Sequence, residues 1–211
     1  MKLHLGCGQR YLEGYLNIDF PLNEHTAQKK SVADQTADIL TLQYEPDSLE
    51  EIRLHHVFEH FSRPVACALL TTWYFWLKPG GILHLEVPDF KKSAQIILSP
   101  FKSEKAKKVA ERHVFGSQEA PWAVHQAGYT PKGLTDFLSL FGFNIKAIKK
   151  NNYCGTYNFE ILAVKNSNQL DREKLSELTK LYLSQFLLPN EINKLDIWLE
   201  QYQNQVNKFN L

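Results

Sequence analysis

Short apolar segments alternate with longer stretches of helical periodicity over residues 2–165 of this 211-residue chain. Such alternation is typical of an α/β layer fold built on a largely parallel sheet. We predict strands at Lys2 to Leu5, Leu16 to Phe20, Ser31 to Ala33, Glu51 to His55, Gly81 to Val87, Phe143 to Lys149 and Phe159 to Val164. Helices are predicted at Val65 to Leu77, Ser99 to Arg112 and Pro131 to Phe141.

The last quarter of the chain has a different character, since all 10 glycines lie between Gly6 and Gly155. From Leu170 onward the apolar residues recur at helical spacing. This pattern predicts two amphipathic helices broken at Pro189, with Asn190 as the N-cap of the second. We therefore divide the chain into a domain at 1–165 and a helical C-terminal extension at 166–211. The apolar stripe of the extension fits packing on the sheet or a homodimer through these helices.

Composition excludes several classes of protein. Hydrophobic residues make up 44% of the chain and aromatics 12%, enough for a packed core. A net charge of +1 disfavours nucleic acid or an anionic membrane as the partner. The 3 scattered cysteines predict neither a disulfide framework nor a zinc knuckle, which favours the reducing cytoplasm. The longest apolar run, 64–77, is shorter than a membrane span requires, and no export signal is expected at the start.

The first predicted strand runs into a glycine-bounded turn, Gly6-Cys7-Gly8, where a ligand can approach the backbone closely. A dinucleotide site requires a third glycine, but Tyr11 stands in its place. A nucleoside without pyrophosphate does not need that glycine. Asp19, at the end of the second strand, can accept hydrogen bonds from both ribose hydroxyls of such a ligand. Only 6 residues separate Gly8 from Tyr15, so we expect the first crossover helix to be shortened or absent.

Six motifs occur in a fixed order along the chain: LHLGCG at 3–8, YLNID at 15–19, ADIL at 37–40, PDSLEEIRLHHVFEHF at 46–61, LKPGGILHLEVPD at 77–89 and HQAGYTPKGLTDFLSLFGF at 125–143. This ordered set resembles the class I S-adenosylmethionine-dependent methyltransferases, particularly their small bacterial type 11 group. The resemblance implies a Rossmann-like, doubly wound, mostly parallel seven-stranded sheet that binds S-adenosylmethionine.

The resemblance also implies a role for each matching residue in binding the cofactor. The methionine tail is expected at the glycine turn, the ribose at Asp19, the adenine at 38–40, and the pocket floor at the end of the fourth strand. The implied cofactor residues are Gly6, Cys7, Gly8, Asp19, Asp38, Ile39, Leu40, His56 and Val57. An alternative for Asp38 is that its carboxylate caps a turn of the backbone.

The acceptor implied by the resemblance is a hydroxyl, or less often an amine, of a small molecule such as a saccharide or glycan precursor. A hydroxyl acceptor benefits from a general base, and histidine titrates near the required pH. We predict His60 and His125 as the catalytic histidines, with Asp89 orienting the reactants. Each histidine has the alternative role of fixing a loop by hydrogen bonds.

Two other functions remain open at this stage. One is a non-catalytic module that binds a nucleoside or docks a partner. The other is a metal-dependent peptidase, because His56, Glu59 and His60 match the HxxEH motif and would share one face of a helix. Metal-dependent O-methyltransferases have a similar Glu-His pair, but another acid in place of His56. We therefore expect no metal in the site.

Overall fold

The computed structural model describes residues 1–21, 30–167 and 169–209 and has a mixed sheet of 7 strands in the order β3-β2-β1-β4-β5-β7-β6. The strands are β1 Lys2–Leu5, β2 Leu16–Asp19, β3 Gln35–Thr36, β4 Leu49–His55, β5 Leu77–Pro88, β6 Phe143–Tyr153 and β7 Thr156–Lys165. Strands β1 to β5 pair in parallel, and only β7 runs antiparallel to its neighbours β5 and β6. The predicted α/β fold with a mostly parallel sheet is confirmed.

The described residues form 6 α-helices. They are α1 Arg63–Trp76, α2 Phe90–Ile97, α3 Glu104–Phe115, α4 Pro131–Leu140, α5 Arg172–Ser184 and α6 Ile192–Lys208. Side-chain caps explain several starts, because Ser103 accepts from the N–H of Ala106 and Thr130 from that of Gly133. Helix α2, which the sequence analysis missed, begins in the same way at Asp89.

Three local predictions were wrong. The third strand lies at Gln35–Thr36 and not at Ser31 to Ala33, because Asp34 is held by the N–H of Asn17 and pairing begins only after it. The helix predicted from Ser99 is α3, and it starts at Glu104 because Ser103 caps it. Asn190 is not an N-cap, since its φ of 69° is left-handed and α6 begins two residues later.

The core lies on one face of the sheet. Its fully buried strand residues include Leu3, Leu5, Ile18, Ile52, Leu54, Leu83, Leu85, Ile161 and Ala163. Helices α1, α4, α5 and α6 contribute to the same apolar cluster. Burial of this one face holds the strands in register, since a slip by one residue would reverse every side chain.

The opposite face of β1, β4 and β5 is polar, because polar and apolar residues alternate in these strands. His4 Nδ1 lies 3.0 Å from the side-chain oxygen of Asn17, and His84 Nε2 lies 3.0 Å from Glu160. Parallel strands that are covered by helices on both faces usually have continuous apolar sequences. Residues 6–15, which join β1 to β2, contain no helix, as the short spacing predicted. The polar face therefore lacks the cover that a first crossover helix provides.

The two helices of the C-terminal extension pack on α1. Buried residues on their inner sides include Leu175 and Leu183 of α5 and Leu195 and Val206 of α6. The apolar stripe thus packs within the chain, while the boundary at 165 and the homodimer stay predictions. In the part of the chain that is described, no helix combines the length and apolar character needed to cross a bilayer.

Candidate active site at the carboxyl edge of the sheet

The order of the strands reverses between β1 and β4, and ligands of open α/β sheets bind beyond the carboxyl ends at such a point. A cavity of about 470 Å³ lies there, within the range of small-molecule sites. Its lining contains eight of the nine predicted cofactor residues: Gly6, Gly8, Asp19, Asp38, Ile39, Leu40, His56 and Val57. The topology therefore brings together residues that are far apart in the sequence.

The glycine turn after β1 has a left-handed backbone, with φ of 65° at Gly6 and 57° at Gly8. A Cβ atom on Gly6 would lie 2.4 Å from Cγ2 of Val57, so only glycine fits against that wall of the cavity. Cys7 is the predicted residue missing from the lining. Its side chain is buried, and burial raises the pKa of the thiol to about 11, so it stays protonated.

Asp19 ends β2 beside this turn. Its carboxylate accepts hydrogen bonds from the backbone N–H groups of Gly8, at 3.0 Å, and Phe20, at 2.9 Å. The side chain is nearly buried yet lines the cavity. Two backbone donors thus fix the carboxylate where it can accept hydrogen bonds from a ligand.

Asp38 caps a turn, as the alternative role predicted, while its contact with an adenine stays a prediction. Its carboxylate accepts from the N–H of Leu40 at 2.9 Å and caps a single 3-10 turn, Ile39–Thr41. The same residue lines the cavity together with Ile39 and Leu40. The turn is supported from α6, because Nε2 of Gln205 donates to the carbonyl of Leu40 over 2.9 Å. The C-terminal extension therefore contacts the wall of the cavity directly.

His56 lies between two carboxylates on the cavity floor. Its Nε2 is 3.1 Å from Glu86 Oε1 and its Nδ1 is 3.3 Å from Glu59 Oε1. Burial disfavours the charged imidazole, but the two carboxylates outweigh it and raise the pKa of His56 to about 9. Hydrogen bonds from His55 and His56 hold the pKa of Glu86 well below its usual range. Glu86 was not among the predicted site residues, although an acid near the carboxyl end of a buried strand is a signal for such a site.

A second cavity of about 420 Å³ adjoins the first, and His56, His60 and Trp122 line both. Its other walls come from α3 and from the turn between β6 and β7. Burial is the main cause that lowers the pKa of His113 to about 4, and the charge on His56 adds to it. Burial also lowers the pKa of His125. The imidazoles of His113 and His125 are therefore neutral at neutral pH, beside the charged imidazole of His56.

The predicted catalytic residues lie in different places. His60 lines both cavities and His125 lines the second, with their ring centroids 4.7 Å apart. Asp89 lines neither, because its carboxylate accepts from the N–H of Lys92 at 3.0 Å and caps α2. The structure thus brings the two histidines together and places Asp89 in a helix cap.

The HxxEH stretch does not adopt the helix that a peptidase site requires. His56 has a left-handed φ of 54°, and only a 3-10 turn, Phe58–His60, follows it. Helix α1 begins after this turn. The expectation that His56, Glu59 and His60 share one helix face was therefore wrong.

Comparison with known proteins identifies the fold. No family model matches the sequence, and no curated protein matches it. Among solved structures, 1,6-didemethyltoxoflavin-N1-methyltransferase of Burkholderia thailandensis, which contains bound S-adenosylhomocysteine, matches with a TM-score of 0.53 and 11% identity over 79% of this chain and 71% of its own. A S-adenosylmethionine-dependent methyltransferase of Methanosarcina mazei matches with a TM-score of 0.50 and 16% identity, over 79% and 92% of the two chains. One from Mesorhizobium loti has a TM-score of 0.50 and 14% identity, over 77% and 89%. The chain therefore has the fold of the S-adenosylmethionine-dependent methyltransferases.

Proposed function

We propose that this protein is a methyltransferase that moves a methyl group from S-adenosylmethionine to a hydroxyl, less often an amine, of a small molecule. The observation that carries the proposal is the first cavity, where a glycine turn and two fixed carboxylates meet at the switch point of the sheet. A nucleoside with an amino-acid tail needs this combination: close backbone approach at one end and acceptors for its hydroxyl and amino groups at the other.

In this proposal each wall of the first cavity binds one part of the cofactor. The methionine tail packs on Gly6 and Gly8, Asp19 accepts from the ribose hydroxyls, and Asp38 with the apolar Ile39 faces the adenine. Bound S-adenosylmethionine supplies the electrophilic methyl group on its sulfonium. The protein contributes position, since holding two reactants in line can supply on the order of 7–11 kcal/mol.

The second cavity is the place we assign to the acceptor, because it opens into the first beside His56 and His60. A neutral imidazole there, such as that of His125, can accept the proton of a hydroxyl as the methyl group is transferred. Trp122 and Arg112 also line this cavity and suit a polar ring such as that of a saccharide or glycan precursor. The net charge of +1 supports a small-molecule acceptor and not nucleic acid, and the three scattered cysteines support a place in the cytoplasm.

Thermal unfolding with S-adenosylmethionine and S-adenosylhomocysteine tests the binding step. Ligand at 100 times its Kd should raise Tm by roughly 5–11 °C for a chain of this size. Transfer of a labelled methyl group to a panel of saccharides and phenols then tests the reaction. Absence of a shift with both compounds would contradict the proposal, and binding without transfer to any acceptor would favour the non-catalytic module.

A further inference from the structure

Three side chains beside the two cavities are not used by the proposed cofactor: His60 lines both cavities, His125 lines the second, and Glu59 is buried behind them. Glu59, His60 and His125 each offer one ligand atom, and these atoms all lie within 4.8 Å of one another. The sequence separates His125 from the other two by more than sixty residues. The chain fold brings it there through backbone hydrogen bonds from Gln126 and Ala127 to the carbonyl of Glu59, at 2.8 and 3.1 Å.

The carboxylate of Glu59 is the unusual member of this set. The residue is 1% exposed, and neither carboxylate oxygen has an aligned hydrogen-bond partner among the described residues. Its nearest cationic contact is His56 Nδ1 at 3.3 Å, while His125 Nε2 lies 3.9 Å away. A buried carboxylate is costly unless it is well hydrogen-bonded, paired with charge or bound to a metal. One ion pair leaves acceptor capacity on Glu59 that points toward the two imidazoles.

His60 is already oriented as a ligand. Its Nδ1 lies 3.1 Å from the carbonyl oxygen of Val124, which only a protonated Nδ1 can contact favourably. Such a bond fixes the tautomer and leaves the lone pair of Nε2 available, as in many metal-bound histidines whose other ring nitrogen donates to a carbonyl. His60 and His125 meet edge to face, with an interplanar angle of 84°.

We propose that Glu59, His60 and His125 bind one divalent transition-metal ion at the boundary of the two cavities. Two imidazoles and one carboxylate suit Zn²⁺ or Fe²⁺ better than Mg²⁺, which prefers oxygen ligands. Zn²⁺ binds such ligands at about 2.0–2.2 Å, so the three ligand atoms move closer together when the ion binds. His60 lines both cavities and His125 lines the second, so coordination positions remain open toward the acceptor.

The role of the ion rests on the proposed function. A cation at this point would bind the acceptor oxygen and lower the pKa of its hydroxyl, so that the proton passes to solvent water. The oxygen would then form its bond to the methyl group as the bond from that methyl to the sulfonium breaks, and His125 would act as a ligand rather than as a base. This departs from the expectation, drawn from the sequence, that the site contains no metal. It also differs from the peptidase motif, because His56 is paired with two carboxylates and His125 takes its place.

Zinc binding to the chelator-treated chain tests the proposal without any methyl donor. Titration against a chromophoric chelator should give one equivalent of Zn²⁺, and His60→Ala and His125→Ala should each weaken its affinity at least tenfold. Glu59→Gln should have the same effect where circular dichroism shows that it folds. His84→Gln is the matched control, since His84 contacts carboxylates on the polar face of the sheet and should retain full affinity.

Cys154 lines the second cavity and is an exposed thiol, so the titrations are made in a Cys154→Ser background. Co²⁺ in place of Zn²⁺ should then give the visible absorption of a nitrogen- and oxygen-bound site. No stoichiometric binding, or equal binding by the His60→Ala and His125→Ala variants, would overturn the proposal. Its failure is separable from that of the proposed function, because S-adenosylhomocysteine binding is measured on the same metal-free protein.

Discussion

The backbone N–H of Gly8 donates a hydrogen bond to Oδ2 of Asp19 over 3.0 Å, which joins the turn after β1 to the end of β2. The bond uses one lone pair of a carboxylate that has two oxygens and lines the first cavity. The geometry of the glycine turn and the position of the carboxylate are therefore set together. A substitution at either residue should therefore displace the other.

Replacing Asp19 by Ala should lower the affinity for S-adenosylhomocysteine at least 100-fold, because two hydrogen bonds to a charged group are lost at about 1.5–3 kcal/mol each. Isothermal titration calorimetry measures the change. Asp136→Ala, on the exposed side of α4, is the control and should bind like the wild type. Affinity within threefold of wild type in Asp19→Ala would show that the ribose is bound elsewhere.

Gly6→Ala and Gly14→Ala form a matched pair. Both glycines have a left-handed backbone, with φ of 65° and 80°, so each alanine costs about 1–2 kcal/mol of stability. Only at Gly6 does the new Cβ meet another atom, 2.4 Å from Val57, whereas nothing lies within 4 Å of it at Gly14. We expect Gly6→Ala alone to abolish ligand binding. Calorimetry measures ligand affinity in both variants, and Tm measures their loss of stability. Together they distinguish the clash with Val57 from the backbone strain.

Gln205→Ala should weaken ligand binding about tenfold without a contact to the ligand. Its side chain is buried on α6 and donates to the carbonyl of Leu40 in the wall of the cavity, so its loss frees the turn at Ile39–Thr41. Gln203→Ala is the control from the same helix, because the side chain of Gln203 bonds to Asn207 on the exposed side, away from Leu40. Equal affinity of the two variants would mean that α6 stabilises the fold but not the site.

His4 should make stability fall as the pH falls. Burial lowers the pKa of His4 to about 4 in the folded chain, although a hydrogen bond from its ring to Asn17 opposes the change. The unfolded chain, with an ordinary pKa near 6.5, therefore binds the proton first. The contribution of neutral His4 to the free energy of unfolding is fully present above pH 6.5. It declines as the pH falls toward 4, by up to about 1.4 kcal/mol per pH unit.

Denaturant unfolding at pH 7.5, 6.0 and 5.0 measures this dependence. His4→Gln has no titrating ring, so its free energy of unfolding should decline less steeply than that of wild type over this range. Parallel slopes in the two proteins would show that His4 is not the group responsible.

The sequence predicted those parts of the site that local chemistry encodes. The glycine turn at Gly6 and Gly8 follows a short apolar strand, and Asp19 ends the next strand, so both positions could be read directly. Strand β3 consists of two residues, and both are exposed. Its position depends on the hydrogen bond from Asn17 to Asp34, which no periodicity in the sequence predicts.

Contacts between distant segments were beyond the sequence. The pairing of His125 with His60 and the bond from Gln205 to Leu40 each join residues more than sixty positions apart. Asp89 comes directly after a strand, which is a common position for a catalytic acid. An aspartate that caps the next helix occupies the same position, and this is what Asp89 does. Only the packed chain distinguishes these possibilities.

The connection between β1 and β2 also decides which charge the site accepts. In a dinucleotide fold, a helix that starts at the glycine turn directs its positive dipole end at the phosphates, and a charge at such an end gains about 0.3–1 kcal/mol. Residues 6–15 contain no helix, so this connection directs no aligned peptide dipoles at the ligand beside Gly6. A doubly negative phosphate loses that gain, whereas a zwitterionic amino-acid group, neutral overall, loses little. We therefore expect the shortened crossover to favour a nucleoside with a zwitterionic tail over a nucleotide.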